Sequence, residues 1–188
     1  MDSRVALYKS ELLKWTAKVN LIGPEAKDHL DEHIAEALAA AEILQPRENV
    51  LDFGSGGGLP AIPMAIVSPE ARFHLVEADQ KKWVFLKHVV RECGLSSRVH
   101  GDRLSRLLPR LPADLRFSLV ISRAVGNPEE WVPSLKEHLE DGARVALFQG
   151  TPDAPAIAGF RSEQSVPLPR GTSNYLVLLT FHVEHPRT

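Results

Sequence analysis

The residues with the clearest chemical signal form one run, Val50-Leu51-Asp52-Phe53-Gly54-Ser55-Gly56-Gly57-Gly58-Leu59-Pro60. A β-prone stretch ends in a glycine cluster that opens a helix at proline, the order that lets a ligand lie close against backbone. Gly54, Gly56 and Gly58 can take dihedrals closed to other residues. Glu77 ends the next β-prone stretch, 23 residues after Gly54. A carboxylate there can accept hydrogen bonds from both hydroxyls of a nucleoside ribose. The spacing leaves two cofactors open. Gly56-x-Gly58-x-x-Ala61 also fits a dinucleotide fingerprint, whose pyrophosphate would sit at the helix start. The alternative is S-adenosyl-L-methionine (SAM), which brings a sulfonium cation and a zwitterionic tail. Asp52 before the glycines, with Glu77 and Asp79 beyond them, would make a carboxylate-rich rim and so favours the cation. An NAD-dependent oxidoreductase stays as the second enzyme reading.

Other residue patterns carry weaker chemistry. His29-Leu30-Asp31-Glu32-His33 matches H-x-x-E-H, which on a helix would bring two imidazoles to one face as zinc ligands can. No glycine-rich metallopeptidase context surrounds it, so no metal is expected. Between Arg98 and Arg123 stand six arginines (98, 103, 106, 110, 116 and 123) against two acids, Asp102 and Asp114, which makes this window the best phosphate-binding candidate. Arg103, Arg106 and Arg110 are spaced to share a helix face, within the limit that Pro109 sets. Lys14 and Lys18 flank Trp15; the indole could stack a base, but packing the N-terminal arm onto the sheet is the stronger expectation. Lys81, Lys82 and Lys87 read as the exposed side of a helix whose packing residues are Trp83, Phe85 and Leu86.

These groups need elements to hold them. Apolar residues at helical spacing over 5–19 and 27–44, parted by Gly23-Pro24, predict a helical N-terminal arm within residues 1–45. From Asn49 onward short β runs alternate with helical stretches, the pattern of a parallel α/β sheet. Strands are expected at Val50–Phe53, Arg72–Glu77, Arg98–His100, Ser118–Ser122 and Ala143–Phe148. Helices are expected at Pro60–Val67, Gln80–Glu92, Arg103–Pro109 and Pro128–Leu139. Glu163–Leu168 and Asn174–Glu184 could close the sheet as an antiparallel hairpin, with Pro167, Pro169 and Gly171 near its turn. The arm and an α/β core over 49–188 would then form a single domain.

Composition bounds the function further. The chain has 188 residues, 44% of them hydrophobic, and a net charge of −2. That suits one globular domain and argues against wrapping a long duplex by nonspecific charge, while a local basic patch remains open. The longest apolar stretch, Leu59 to Val67, is far shorter than the about 18–20 residues of a membrane helix, so no membrane association is expected. The N-terminus runs straight into an amphipathic pattern without a signal-peptide core. The one cysteine, Cys93, agrees with a reducing compartment. A cytoplasmic location is expected.

Taken together, Val50 to Met64, Glu77-x-x-x-Lys81-Lys82-x-x-Phe85-Leu86 and Ile121-Ser122-Arg123-Ala124 resemble the RsmG (GidB) family of bacterial small-subunit (16S) ribosomal RNA guanine-N7 methyltransferases. Trp15-x-x-Lys18-x-Asn20-Leu21 and His33-Ile34 match as well. The similarity runs from about Leu13 to Ala124, with a tail in Asn174 to Val183. The resemblance implies a Rossmann-like class I SAM-dependent methyltransferase fold: a seven-stranded, mostly parallel sheet, helices on both faces and a reversed last strand. It implies small-subunit ribosomal RNA, or the small ribosomal subunit, as partner. Carried over position by position, its cofactor contacts fall on Gly54, Leu59, Leu104, Ser105 and Arg123, to which the residue pattern adds Gly56, Gly58 and Glu77. Arg103, Arg106, Arg110 and Arg123 are the expected RNA contacts. The chain departs from the family at Arg103-Leu104-Ser105, where Arg-x-Glu is usual, and at Pro60-Ala61, where Pro-Gly is. It departs again at Glu36-Ala37, where Asp-Ser is usual, and at Leu147-Phe148-Gln149-Gly150, which lacks a lysine. It also begins closer to Trp15 than the family does, so a shorter arm is expected. An inactive methyltransferase fold serving as an RNA-binding or assembly module is the non-enzymatic alternative.

Overall fold

The computed structural model describes residues 2–169 and 174–183. Three helices lead: α1 (Ser3–Thr16), α2 (Pro24–Asp28) and α3 (Leu30–Leu44). Asp2 caps α1 by accepting the Arg4 N–H at 2.8 Å, which satisfies one of the orphan donors of the first turn. The helix expected over 27–44 is two helices, because His29 leaves helical backbone at φ −107°, ψ 23°.

The α/β part follows as β1 (Glu48–Phe53), α4 (Ala61–Val67), β2 (Ala71–Val76), α5 (Gln80–Glu92), β3 (Arg98–His100), α6 (Leu104–Leu107), β4 (Phe117–Arg123), α7 (Pro128–Trp131), β5 (Leu139–Gln149), β6 (Phe160–Pro167) and β7 (Tyr175–Phe181). The strands form one seven-stranded sheet in the order β3-β2-β1-β4-β5-β7-β6. β1 to β5 are mutually parallel, and β7 runs antiparallel to both β5 and β6. The expected closing hairpin is present, although Gly171 and Glu184 lie outside the described residues. The expected helix Pro128–Leu139 is instead α7 followed by a 3₁₀ stretch, Val132–His138. Pro133 there has no N–H to give a helical ladder.

Both faces of the sheet are covered, which is why its inner strands read as unbroken apolar runs. Alternation along β1 sends Val50 to one core, shared with α1, α3, α4 and α5, and Leu51 to the other, shared with α6 and α7. The arm belongs to the first core: Tyr8 and Leu12 are wholly buried, and the Tyr8 hydroxyl donates to the Gly57 carbonyl at 2.8 Å. Trp15 packs on Phe85 and His88 with ring centroids 5.6 and 5.2 Å away, so its role is packing as expected, but against α5 rather than directly against the sheet. Strand order reverses between β1 and β4, and at such a switch point the loops beyond the strand ends splay apart and leave a crevice.

Candidate functional site

The glycine loop lies in that crevice. Gly54 has φ 77°, and a Cβ built on it would sit 2.4 Å from Val125 Cγ2, so only glycine fits. Gly58 has φ 89°, and its Cβ would fall 2.6 Å from Ile62 Cγ1; its lack of a side chain lets the loop pack on α4. The Gly54 and Ser55 N–H groups both donate to the Val76 carbonyl, at 3.0 and 3.1 Å. Glu77 completes the lashing: Oε2 accepts the Gly56 N–H and Oε1 accepts the Asp79 N–H, each at 2.8 Å. The loop after β1 and the end of β2 are thereby one unit.

A cavity of about 450 Å³ opens beside it, lined among others by Phe53, Gly54, Glu77, Leu104, Ser105 and Trp131. Phe53 and Trp131 meet with ring centroids 4.8 Å apart and give it an aromatic wall. Of the residues expected to hold cofactor, Gly54, Glu77, Leu104 and Ser105 line this cavity, and so does Arg103. Gly56 stands behind it as the partner of Glu77, and Gly58 and Leu59 are not part of its wall. Trp131 escaped the sequence reading because it falls in a helical stretch where an indole ordinarily reads as core. The expected carboxylate rim needs correction. Asp52 is 1% exposed and lies beneath the loop, because strand alternation turns it toward the arm with Val50. Burial, opposed by Ser55 and helped by the Glu77 charge, pushes its carboxyl up to about 7. Asp79 caps α5, accepting the Lys81 and Lys82 N–H groups at 2.9 and 3.0 Å.

Arg123 does not line the first cavity. It lines a second, of about 880 Å³, with His29, His33, Phe148, Gln149 and Asn174 among its neighbours. Val125 belongs to both cavities and stands between them. The Arg123 guanidinium lies 3.2 Å from the Glu36 carboxylate and 2.6 Å from His33 Nδ1, and Asn174 Nδ2 donates to Glu36 at 2.9 Å. His33 Nδ1 also lies 3.2 Å from Glu36 Oε2, so guanidinium, imidazole and carboxylate converge at one point. Burial pulls the Arg123 group below its ordinary value, and Glu36 opposes the pull. The departure at Glu36 therefore preserves a carboxylate. The other histidine of the H-x-x-E-H run, His29, has its Nδ1 3.1 Å from Glu32. Among the described residues no cluster of three or more potential ligands could hold a metal ion.

The six arginines do not form one patch. Arg103 precedes α6, a helix of four residues, and Arg110 lies beyond it in the 3₁₀ turn Leu108–Arg110. The short helix cannot present the three as one face. Arg110 instead folds back, donating through Nε to the Arg106 carbonyl and pairing with Asp102. Arg116 donates to the carbonyls of Ala113 and Leu115. Arg103 and Arg106 are exposed without such a partner among the described residues, and of the two Arg103 lines the first cavity.

This geometry suits a nucleoside with a short cationic tail better than a dinucleotide. A pyrophosphate would have to sit at the start of α4, but Ala61 and Ile62 are wholly buried there and the arm closes over the loop. A Cβ on Gly57 would already meet Leu12 and Ile22 at 3.1 Å. Comparison with known proteins agrees. The chain is 36% identical over 152 residues to the ribosomal RNA small subunit methyltransferase G of Magnetococcus marinus, covering 79% of this chain and 68% of that one. It is 30% identical over 190 residues to the protein of the same name from Syntrophotalea carbinolica, covering 94% and 87%. In fold it is similar to the O-methyltransferase TomG from Streptomyces achromogenes, solved in complex with SAM, with a TM-score of 0.65 at 16% identity over 97% of this chain and 91% of that one. The GidB family pattern, rRNA small subunit methyltransferase G, matches residues 1–167, and the chain belongs to that family.

Proposed function

We propose that the chain binds SAM in the smaller cavity and methylates N7 of a guanine in small-subunit ribosomal RNA, the guanine entering the larger cavity across Val125. The observation that carries this reading is the junction itself: a glycine-bounded cavity at the strand-order switch shares one wall residue with a second, more polar cavity. Bound there, SAM supplies an electrophilic methyl carbon on a sulfonium. Guanine N7 has a lone pair in the plane of its ring, so no residue has to remove a proton. The task of the chain is to hold donor and acceptor in line and keep water out, an effect worth several kcal/mol or more of the barrier.

Gly54 allows the close approach, Glu77 accepts the ribose hydroxyls while holding the loop, and Leu104 and Ser105 border the adenine beside the aromatic wall. Gly56 supports Glu77. Gly58 and Leu59 shape the loop from behind. Arg103 and Arg106 contact RNA phosphates from the rim, while Arg110 acts through its pair with Asp102. Arg123, fixed by Glu36 and His33, forms the floor of the guanine cavity. No helix among the described residues is long and apolar enough to cross a membrane. An enzyme acting on bacterial ribosomes works in the cytoplasm.

Incubating small ribosomal subunits that lack the modification with methyl-labelled SAM, then mapping the label, tests the reading. Label on one guanine N7 supports it. SAM binding without transfer would favour the assembly module instead, and NADH binding the oxidoreductase.

A further inference from the structure

The larger cavity has a wall that the transfer chemistry does not use. Glu25 and His29 both line it, and the His29 N–H donates to the Glu25 carbonyl at 3.1 Å, so the two side chains sit one helical turn apart on the same face. Among the described residues lining this cavity, Glu25 is the one carboxylate. We propose, resting on the reading of this cavity as the guanine site, that Glu25 and His29 together read the Watson–Crick edge of the acceptor base and make the site select guanine.

The argument is one of matching donors and acceptors. A flipped base is recognised through that edge, because N7 must face the methyl donor. Along it guanine presents O6 as acceptor, then N1–H and N2–H₂ as donors. A carboxylate has two acceptor oxygens for the two donors, and an imidazole N–H supplies the donor for O6. Adenine reverses the pattern, setting its N6 amine against the imidazole N–H and the N1 lone pair against the carboxylate, so it is rejected by repulsion as well as by lost bonds. His29 is suited to the donor role. Its Nδ1 is engaged by Glu32, which raises the imidazole above its ordinary value, with Glu25 and Asp28 acting the same way, and Nε2 is left to face a ligand. The carboxylate would also stabilise the positive charge that N7 methylation leaves on the purine.

Both residues are exposed at the cavity wall, so Glu25→Ala and His29→Ala should fold normally, with melting temperature and calorimetric SAM affinity as the checks. With unmodified small subunits, each variant is expected to lower kcat/KM by about 10- to 100-fold while SAM affinity stays within about twofold. Subunits reconstituted with inosine at the mapped guanine, which lack only the N2 amine, supply a readout that a structural role would not move. The full-length wild-type chain should discriminate against inosine by about tenfold, and Glu25→Ala should treat the two substrates alike. If Glu25→Ala keeps the wild-type discrimination, or loses SAM affinity in parallel with activity, the base-reading assignment fails while the methyltransferase reading stands. If the wild type methylates no subunit at all, that underlying reading fails first, and this one with it.

Discussion

Arg123 Nη2 lies 3.2 Å from Glu36 Oε2, a pair that ties the end of β4 to α3 where the carboxylate is wholly inaccessible to water. A buried ion pair adds little net stability when complete, but removing one partner strands the other charge. Glu36→Ala should therefore destabilise the chain by about 3–5 kcal/mol, the usual cost of breaking such a pair. Urea unfolding measures it. Replacing Arg123 by Met in the same background should recover part of the loss, because the stranded guanidinium is then gone. Equal stability of the single and double variants would show that the pair acts through something other than charge compensation.

Gly54→Ala is the smallest change that tests the loop. The added methyl meets Val125 at 2.4 Å in a backbone conformation that β-carbons disfavour, so either the loop or the wall between the cavities must move. We expect SAM affinity to fall by about tenfold or more while the fold is retained, a combination of the cost of strain at positive φ and lost approach. Gly54→Arg should abolish binding. Calorimetry with SAM on a variant of unchanged circular dichroism is the check.

The contrast between Gly54 and Arg123 shows what could be read before the structure. The glycine run, Glu77 and the alternation of strands and helices are local in sequence, and local spacing was enough to give the parallel strands and the closing hairpin, whereas Leu104 and Ser105 came only from the family resemblance. Pairings such as Arg123 with Glu36 join segments far apart in the chain, and nothing in either segment announces its partner. Asp52 was misplaced for a related reason. When both faces of a sheet are covered, a period of two says that neighbours part company but not which core each enters. The arginine face failed because α6 ends after four residues, and a short helix followed by a 3₁₀ turn does not keep helical spacing.

Glu77 has two duties that substitutions can separate. Glu77→Ala removes the acceptor for the Gly56 N–H as well as the expected ribose contact, and SAM affinity should fall by about 1–3 kcal/mol. Glu77→Gln keeps one acceptor oxygen and should lose less. If the alanine variant binds SAM normally, the ribose is held elsewhere, and the Gly56 bond is the residue's whole role.

Phosphate contacts announce themselves through salt. Arg103 and Arg106 are exposed, and each contact to a single-stranded phosphate should contribute about 0.7 to the slope of log affinity against log salt. Replacing both by Gln should lower the slope for small-subunit binding by about 1.4. Arg110→Gln should change it less, since Asp102 already pairs with that side chain. Filter binding between low and moderate salt gives the slopes, and identical slopes for the three proteins would remove this rim from the RNA surface.

Asp52 makes stability depend on pH in a direction opposite to most carboxylates. Burial holds its folded value at about 7, against 3.8 for an ordinary aspartate. Between those values the folded chain keeps a proton that the unfolded chain has released, so stability falls as pH rises through the window and is constant in this respect above it. The full effect is on the order of 4 kcal/mol. An asparagine side chain at this position has no such proton to lose. The stability of Asp52→Asn relative to wild type should therefore climb from pH 4 to pH 7 and then level off, which paired unfolding curves at several pH values would show. A difference that stays flat across this range would mean that water reaches the carboxylate beneath the glycine loop, and that the arm with Tyr8 does not seal it.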